Sequence, residues 1–320
     1  MIHTEELGCT FKSRFRRSQV TAVQGLDLDI QPGELFGLVG PDGAGKTTTL
    51  RMLAGILKPT HGQAAVDGHD VVTDAEAIKH ELGYMPQQFG LYPDLTVDEN
   101  LNFICDVFGV TGQERTTRIQ ELLDFTNLHD FRQRRGRQLS GGMQKKLSLT
   151  AALVHRPKVL LLDEPTTGVD PVARREFWDI LTNLHVDGST IVVSTPYMDE
   201  AERCNRVGLL YEGQMMVCDT PAAIKDRLPG VVLALRADDL IRAESMLKTM
   251  DGVIDIQPYG DVLNMIVSDQ TLQDDIKRQL TAAGVNVQSI RLAPPRLEET
   301  FIYFVKQYGT TQPAHQEAAL

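Results

Sequence analysis

Short apolar runs alternate with segments of helical periodicity from Glu34 onward, and this alternation predicts a parallel sheet covered by helices. The clearest runs are rich in branched aliphatic residues, which favour buried strands, and they fall at residues 35–39, 159–162, 191–194 and 207–211. Between Gln87 and Leu153 the apolar residues recur instead at helical spacing, as at Val97, Leu101, Ile104 and Phe108. The pattern therefore predicts an α/β core, with a mostly parallel sheet, into which a helical subdomain is inserted at about residues 88–155.

The pattern changes after about residue 220, where strands and helices follow one another in a different order. Strands are expected at 231–235, 252–256, 262–267 and 285–292, and helices at 240–250 and 272–283. This βαββαβ order is the ferredoxin-like arrangement, so residues 1–220 and 221–308 are expected to form separate domains, the second a small α+β domain. A last helix is expected at 296–307, and the small polar residues 309–320 are expected to be a disordered tail.

Composition limits the classes of function that need to be considered. The 320 residues carry a net charge of −11, which disfavours a general affinity for nucleic acid or anionic lipid. The 4 cysteines are widely spaced and form no CxxC pair, as is typical of reduced thiols in a cytoplasmic protein. Neither a signal-peptide layout nor an apolar window of about 18 residues is present. Contact with a membrane is therefore expected only through a partner.

The segment GPDGAGKT, residues 40–47 and here called the P-loop, follows the first predicted strand and precedes a helical run. Its glycines let backbone N–H groups surround a phosphate, and the helix N-terminus adds a positive dipole end. The Lys46 ammonium suits the β- and γ-phosphates, and the Thr47 hydroxyl suits Mg²⁺. The residues expected to bind ATP here are Gly40, Pro41, Asp42, Gly43, Ala44, Gly45, Lys46, Thr47 and Thr48.

An apolar strand in VLLLDEP ends in two carboxylates, Asp163 and Glu164. In a protein with a P-loop, the first carboxylate holds Mg²⁺ through water, and the second lies where an attacking water must be polarised. We therefore expect Asp163 to be a metal-site residue and Glu164 to be a catalytic residue.

The segment LSGGM, residues 139–143 and here called the signature loop, precedes an amphipathic helical run. Ser140 is placed to cap that helix, and Gly141 and Gly142 leave its first backbone N–H groups accessible. These three residues are expected either to form a second site for an anion or to be an ordinary flexible loop.

Together GPDGAGKTT, LSGGM and LLLDEPTTGVD resemble, in this order and spacing, the ATP-binding subunits of ABC transporters over about residues 1–220. The segment LEETF, residues 297–301, is similar to a motif in the carboxy-terminal extension of drug-efflux-type exporters. The resemblance implies a P-loop NTPase cassette that binds ATP and Mg²⁺ and hydrolyses ATP. It also implies a head-to-tail pair with a second ATP-binding subunit, of the same or a related chain. The pair would energise a separate transmembrane permease from the cytoplasmic, inner face of the cell membrane.

The resemblance assigns roles to further residues. Gln87, in YMPQ, matches the glutamine that joins the core to the helical subdomain and senses Mg²⁺ and the attacking water, so it joins Glu164 and Lys46 as a catalytic residue. Asp170, in TTGVD, matches the aspartate that reaches across to the other subunit. Phe15 is expected to stack on adenine, with Phe11 as the alternative and core packing as a third role.

The residues Phe89, Leu91 and Tyr92 lie where such subunits receive the coupling helices of the permease. Core packing within the helical subdomain is the alternative role for all three. The transported substrate is not indicated, because the transport path belongs to the partner.

The chain departs from the family at two positions. Met143 stands where the signature loop usually ends in glutamine, and Pro196 stands where a switch histidine usually follows Ser-Thr. Proline has no side-chain donor for the γ-phosphate, so slower hydrolysis is expected unless the hydroxyl of Ser194, Thr195 or Tyr197 has taken over that contact. A regulatory subunit with weak hydrolysis is therefore one alternative function. A soluble factor acting on ribosomes or DNA is another, although this chain has neither a second cassette nor a long coiled-coil insert.

Overall fold

The structure is a computed structural model that describes residues 1–12 and 19–311. The chain divides into two compact units, Met1–Cys218 and Asp219–Leu320. Within the described residues no helix has both the length and the apolar character needed to cross a membrane.

The described residues of the first unit form ten strands: β1 (Ile2–Lys12), β2 (Gln19–Ile30), β3 (Leu35–Val39), β4 (His61–Val66), β5 (His69–Asp70), β6 (Leu82–Met85), β7 (Val159–Asp163), β8 (Thr190–Thr195), β9 (Arg206–Tyr211) and β10 (Gln214–Asp219). Its helices are α1 (Lys46–Leu53), α2 (Ala75–Glu81), α3 (Val97–Val107), α4 (Gly112–Phe125), α5 (Gly141–Ala152), α6 (Pro171–Val186) and α7 (Met198–Ala201). Two short 3₁₀ helices, His129–Phe131 and Gly136–Gln138, lie between α4 and α5.

The main sheet has the strand order β10-β9-β3-β8-β7-β6, and its five strands from β9 to β6 are parallel. Every residue of β3 and of β7 is buried, which explains why both strands are continuous apolar runs. Val39 pairs with Thr195, and Asp163 pairs with Ser194, so β3, β7 and β8 end at one edge of the sheet. Loops that follow parallel strands at such an edge are the usual place for a ligand site.

A second, antiparallel sheet with the order β2-β1-β4-β5 was not predicted from the sequence. A signal for it was present in β2, where buried Leu26, Leu28 and Ile30 alternate with exposed aspartates. In β1 the register shifts against both neighbours, which obscures any simple alternation.

The helices α3, α4 and α5 lie in sequence between β6 and β7, where the helical subdomain was expected. Thr96 and Glu99 form a capping box at the start of α3, with the Thr96 hydroxyl accepting from the Glu99 N–H at 3.1 Å. Val97 and Leu101 are fully buried, as their helical spacing predicted.

The second unit contains α8 (Pro221–Lys225), β11 (Val231–Ala237), α9 (Leu240–Leu247), β12 (Val253–Tyr259), β13 (Val262–Val267), α10 (Leu272–Ala282), β14 (Val287–Ala293) and α11 (Leu297–Thr311). Its sheet has the order β12-β13-β11-β14, and every neighbouring pair is antiparallel. This order supports the ferredoxin-like assignment, which remains a prediction.

The last helix differs from its expected bounds. Because α11 extends to Thr311, residues 309–311 are helical and not part of a disordered tail. Gly309 is a usual signal for a helix end near residue 307, but glycine only lowers helix propensity, by about 1 kcal/mol, and the helix continues past it. Residues 312–320 lie outside the described residues.

Candidate nucleotide-binding site

The P-loop connects the end of β3 to the start of α1. Gly45 has φ 103°, and a Cβ there would lie 2.4 Å from the carbonyl oxygen of Ala22, so only glycine fits this position. The loop borders a cleft of about 360 Å³ that Thr48, Gln87 and Glu164 also line. Most of the residues expected to bind nucleotide, from Asp42 to Thr48, therefore surround one cavity.

Lys46 lies at the floor of the P-loop with only 3% of its surface exposed. Its Nζ donates to the carbonyl oxygens of Gly40 and Pro41 at 2.8 and 2.9 Å, and lies 3.2 Å from Oε1 of Glu164. The two loop residues that do not line the cleft thus hold the lysine in place. The buried ammonium is balanced by the Glu164 carboxylate, for which a phosphate can substitute.

Asp163 ends β7 and is fully buried. Its Oδ1 accepts hydrogen bonds from the Thr47 hydroxyl at 2.9 Å and the Ser194 hydroxyl at 2.8 Å. Its Oδ2 has no hydrogen-bond partner among the described residues. A buried carboxylate oxygen without a partner beside a threonine hydroxyl is the donor set that a hard divalent cation prefers.

Glu164 follows with φ 45°, a left-handed conformation that is uncommon for a residue with a side chain. Its N–H donates to the Ser194 hydroxyl at 3.0 Å, which fixes this conformation against β8. Its Oε2 accepts from Nε2 of Gln87 at 2.7 Å and from the Thr167 hydroxyl at 3.2 Å. Gln87 and Glu164, both expected to be catalytic, are therefore in direct contact.

Lys145, which sequence reasoning did not select, lies behind this pair. Its Nζ donates to the carbonyl oxygen of Gln87 at 2.6 Å and to that of Glu164 at 3.3 Å. Burial lowers the pKa of the Lys145 ammonium, although the carboxylates of Asp163 and Glu164 oppose this effect. Only the tertiary structure brings this lysine of α5 to the cleft.

The signature loop does not line the cleft of its own chain within the described residues. Ser140 caps α5 and accepts from the N–H of Met143 at 3.3 Å. A Cβ at Gly142 would lie 2.6 Å from Cβ of Ala173, so this glycine allows α5 and α6 to approach closely. Gly141 and Gly142 are thus placed at a helix N-terminus but away from the P-loop.

Asp170 is also absent from the lining of the described cleft. Its Oδ1 accepts from the N–H groups of Val172 and Ala173 at 3.1 and 3.0 Å, which makes it the N-cap of α6. Phe15 lies outside the described residues, and Phe11, the alternative, is 45% exposed on β1.

Ser194 and Thr195 end β8, Pro196 follows them, and both hydroxyls are hydrogen-bonded within the chain. Ser194 donates to Asp163, and Thr195 donates to Oε2 of Glu200 at 2.7 Å. Glu200 is 1% exposed, and its Oε1 accepts from the hydroxyl of Thr166 at 2.5 Å.

Glu200 also pairs with Arg174 at 3.5 Å, and the Arg174 guanidinium lies over the ring of Tyr197 at 4.2 Å. These contacts fix the chain on both sides of Pro196. The network was missed at the sequence level, because its members are far apart along the chain.

A separate apolar cavity of about 240 Å³ lies between the sheet core and the helical subdomain. Among the residues that line it are Ile56, Leu91, Ile104 and Phe108. Tyr92 is 50% exposed and contacts the ring of Phe103 edge-on at 5.0 Å.

Phe89 was the third residue expected to contact a coupling helix. Its ring lies within 3.4 Å of the position that a Cβ on Gly136 would occupy. Of the three residues, Leu91 alone lines the apolar cavity within the described chain.

A P-loop, an acidic strand end and an inserted group of helices define a nucleotide-binding cassette. The family model described as ABC transporter matches residues 23–167. The chain is 42% identical over 307 residues to YbhF of Escherichia coli (strain K12), a probable multidrug ABC transporter ATP-binding protein, covering 94% of this chain and 52% of that protein. It is 31% identical over 288 residues to LnrL of Bacillus subtilis (strain 168), a linearmycin resistance ATP-binding protein, covering 88% of this chain and 93% of that protein.

A solved structure is also similar, that of the dimeric, post-hydrolysis cassette MJ0796 bound to ADP and Pi. Its TM-score is 0.64 at 28% identity, and the match covers 69% of this chain and 98% of that chain. The present chain belongs to the ABC transporter family of ATP-binding proteins, which confirms the family and the P-loop α/β fold predicted from the sequence. It spans about half the length of YbhF.

Proposed function

We propose that this chain is the ATP-binding and ATP-hydrolysing subunit of an exporter that drives efflux of a drug-like compound through a separate transmembrane permease. The observation that carries the proposal is the contact of Gln87 with Glu164 beside the buried Lys46 in one cleft. The names of YbhF and LnrL, given for multidrug transport and linearmycin resistance, support the export of a drug-like compound. They do not favour a factor acting on ribosomes or DNA.

Bound ATP would place its phosphates in the P-loop, where Lys46 exchanges its contact with Glu164 for one with phosphate oxygens. Mg²⁺ would be held by the Thr47 hydroxyl, Asp163 and Gln87. The Oδ2 atom of Asp163 is available for this role, because it has no hydrogen-bond partner among the described residues. Mg²⁺ supplies neutralisation of the charge that develops on the phosphates. Glu164, released from Lys46 and oriented by Gln87, then accepts a proton from the attacking water.

A second ATP-binding subunit would complete this site. Ser140, Gly141, Gly142 and Asp170 lie away from their own P-loop, so a head-to-tail pair places them against the nucleotide of the partner. The dimeric state of the MJ0796 cassette supports this arrangement. Closure on ATP and release after hydrolysis would provide the motion that drives transport.

The apolar cavity of about 240 Å³ that Leu91 lines has the size and character to receive one or two apolar side chains from a helix of the permease. The chain would then be cytoplasmic and peripheral on the inner face of the cell membrane.

Leu91→Asp is expected to prevent recovery of a membrane protein with the chain from detergent extracts, with ATP binding unchanged. Val186→Asp, at a residue of α6 that is 77% exposed, is the control. Equal recovery with both variants contradicts this docking site.

The nucleotide site is tested by ATP binding and turnover of the purified chain. Lys46→Met is expected to weaken ATP binding by at least about 10-fold, because it removes a buried positive charge next to the phosphates. Lys79→Met, which removes a half-exposed lysine on α2, is expected to bind ATP like the wild type. Unchanged ATP binding by Lys46→Met contradicts the proposal.

A regulatory subunit with weak hydrolysis is the second candidate, and Pro196 is the observation that favours it. The neighbouring hydroxyls of Ser194 and Thr195 are bonded to Asp163 and Glu200. Neither is therefore placed to replace an imidazole without giving up its present partner. A turnover that stays very low with a permease present would favour this candidate.

A further inference from the structure

One ammonium group contacts both members of the catalytic pair. The Nζ of Lys145 donates to the carbonyl oxygens of Gln87 and Glu164 at 2.6 and 3.3 Å, and the side chains of these two residues meet at 2.7 Å. The ammonium of Lys145 therefore fixes the backbone of both Gln87 and Glu164, and with it the contact between their side chains.

Lys145 belongs to α5, the helix whose N-terminus is the signature loop. Ser140 caps this helix, and Gly142 brings its first turn against α6, while its later turns are buried against β6 and α3. Lys146, the next residue, reaches in another direction and pairs with Glu176 of α6 at 2.7 Å. Of these two lysines, only Lys145 connects α5 to the cleft.

The contacts of Lys145 are those of a positioning group. Hydrogen bonds from an ammonium to carbonyl oxygens are shorter and stronger than those between neutral groups. Two such bonds hold the backbone on either side of the position for an attacking water, which Gln87 and Glu164 share in the proposed reaction. A displacement of α5 larger than the flexible lysine side chain can follow would therefore move these two carbonyl groups or break the bonds.

We propose that Lys145 is a positioning residue for ATP hydrolysis, and that it couples the position of α5 to the geometry of Gln87 and Glu164. This inference rests on the proposed function. When the signature loop engages the nucleotide of the partner subunit, α5 carries Lys145 with it. Gln87 and Glu164 of the same chain are then oriented for the attacking water. Nucleotide in the partner's site would thus change the positions of Gln87 and Glu164 in this chain.

The test compares Lys145→Met, Lys145→Arg and the matched control Lys146→Met in the full chain. Lys145→Met is expected to lower kcat about 10- to 100-fold, the effect of losing charge-assisted hydrogen bonds, with the KM for ATP within about 2-fold of the wild type. Lys145→Arg, which keeps the donors, is expected to recover most of kcat. Lys146→Met is expected to keep kcat near the wild-type value, because that lysine contacts neither Gln87 nor Glu164.

Amide hydrogen exchange of the segment 164–169, in which the N–H groups of Glu164, Thr167 and Val169 are hydrogen-bonded, provides a readout that does not depend on turnover. Exchange in this segment is expected to be at least about 10-fold faster in Lys145→Met than in Lys146→Met. Wild-type kcat and wild-type exchange in Lys145→Met together overturn the inference, as does a loss of kcat that Lys146→Met shares. Wild-type turnover no higher than that of Glu164→Gln contradicts the proposed function instead, and the exchange comparison then still decides whether Lys145 positions this segment.

Discussion

Nε2 of Gln87 donates a 2.7 Å hydrogen bond to the carboxylate of Glu164. This bond joins the segment that leads into the helical subdomain to the acidic end of β7. It places an amide donor and a carboxylate acceptor together, the two groups needed to orient a water molecule and to remove its proton.

Glu164→Gln is expected to lower ATP turnover by about 10²- to 10⁴-fold, because the general base is lost while the shape of the residue is kept. ATP binding is expected to remain, since Lys46 and the P-loop are unchanged. Phosphate release and calorimetric binding measure the two effects separately. The control is Glu121→Gln, at an exposed residue of α4. Turnover that survives Glu164→Gln would exclude this residue as the base.

Pro196→His is expected to leave turnover equal to that of the wild type or to raise it, by up to about 10²- to 10³-fold if the imidazole reaches the developing charge. Pro196→Ala is the matched control, because it removes the ring without adding a donor. Steady-state phosphate release at saturating ATP compares the three proteins. A slower Pro196→His, or an equal gain in both variants, would show that the missing donor does not limit turnover.

Substitution of Asp170 is expected to affect both the stability of the chain and the formation of an ATP-dependent dimer, and the two effects can be separated. Asp170→Ala is expected to lower the free energy of unfolding by about 1 kcal/mol, since the N-cap of α6 is lost, whereas Asp170→Ser keeps a capping oxygen and most of the stability. Chemical denaturation measures this difference. If Asp170 also contacts a partner subunit, both variants reduce the ATP-dependent dimer that sedimentation detects in a Glu164→Gln background. A normal dimer in Asp170→Ser would restrict the role of the carboxylate to its own helix.

Cys204 is expected to be the least reactive thiol of the folded chain. Burial, with a smaller contribution from Glu200, raises its pKa to about 12. The thiolate is the reactive form, so the fraction available at pH 8 falls as the pKa rises above its ordinary value. Native labelling with a thiol reagent is expected to modify the half-buried Cys218 first, and all 4 cysteines only after denaturation. Early labelling of Cys204 would contradict the buried position of this thiol.

The sequence predicted the P-loop and the acidic end of β7 because each is a contiguous motif whose chemistry depends on neighbouring residues. It did not predict the contacts of Lys145 or the network around Glu200, since these join residues that only the folded sheet brings together. The sheet containing β1 and β2 was missed for a related reason. Long strands with register shifts lack the compact apolar run that marked β3 and β7.

The two adjacent glycines of the signature loop differ in what they tolerate. A Cβ on Gly141 would have an ordinary contact of 3.7 Å to the carbonyl oxygen of Gly168, whereas one on Gly142 would lie 2.6 Å from Cβ of Ala173. Selection against change at Gly142 therefore acts through the packing of α5 on α6. Selection at Gly141 acts through what the loop binds. Natural sequences are therefore expected to tolerate different substitutions at these two neighbouring positions.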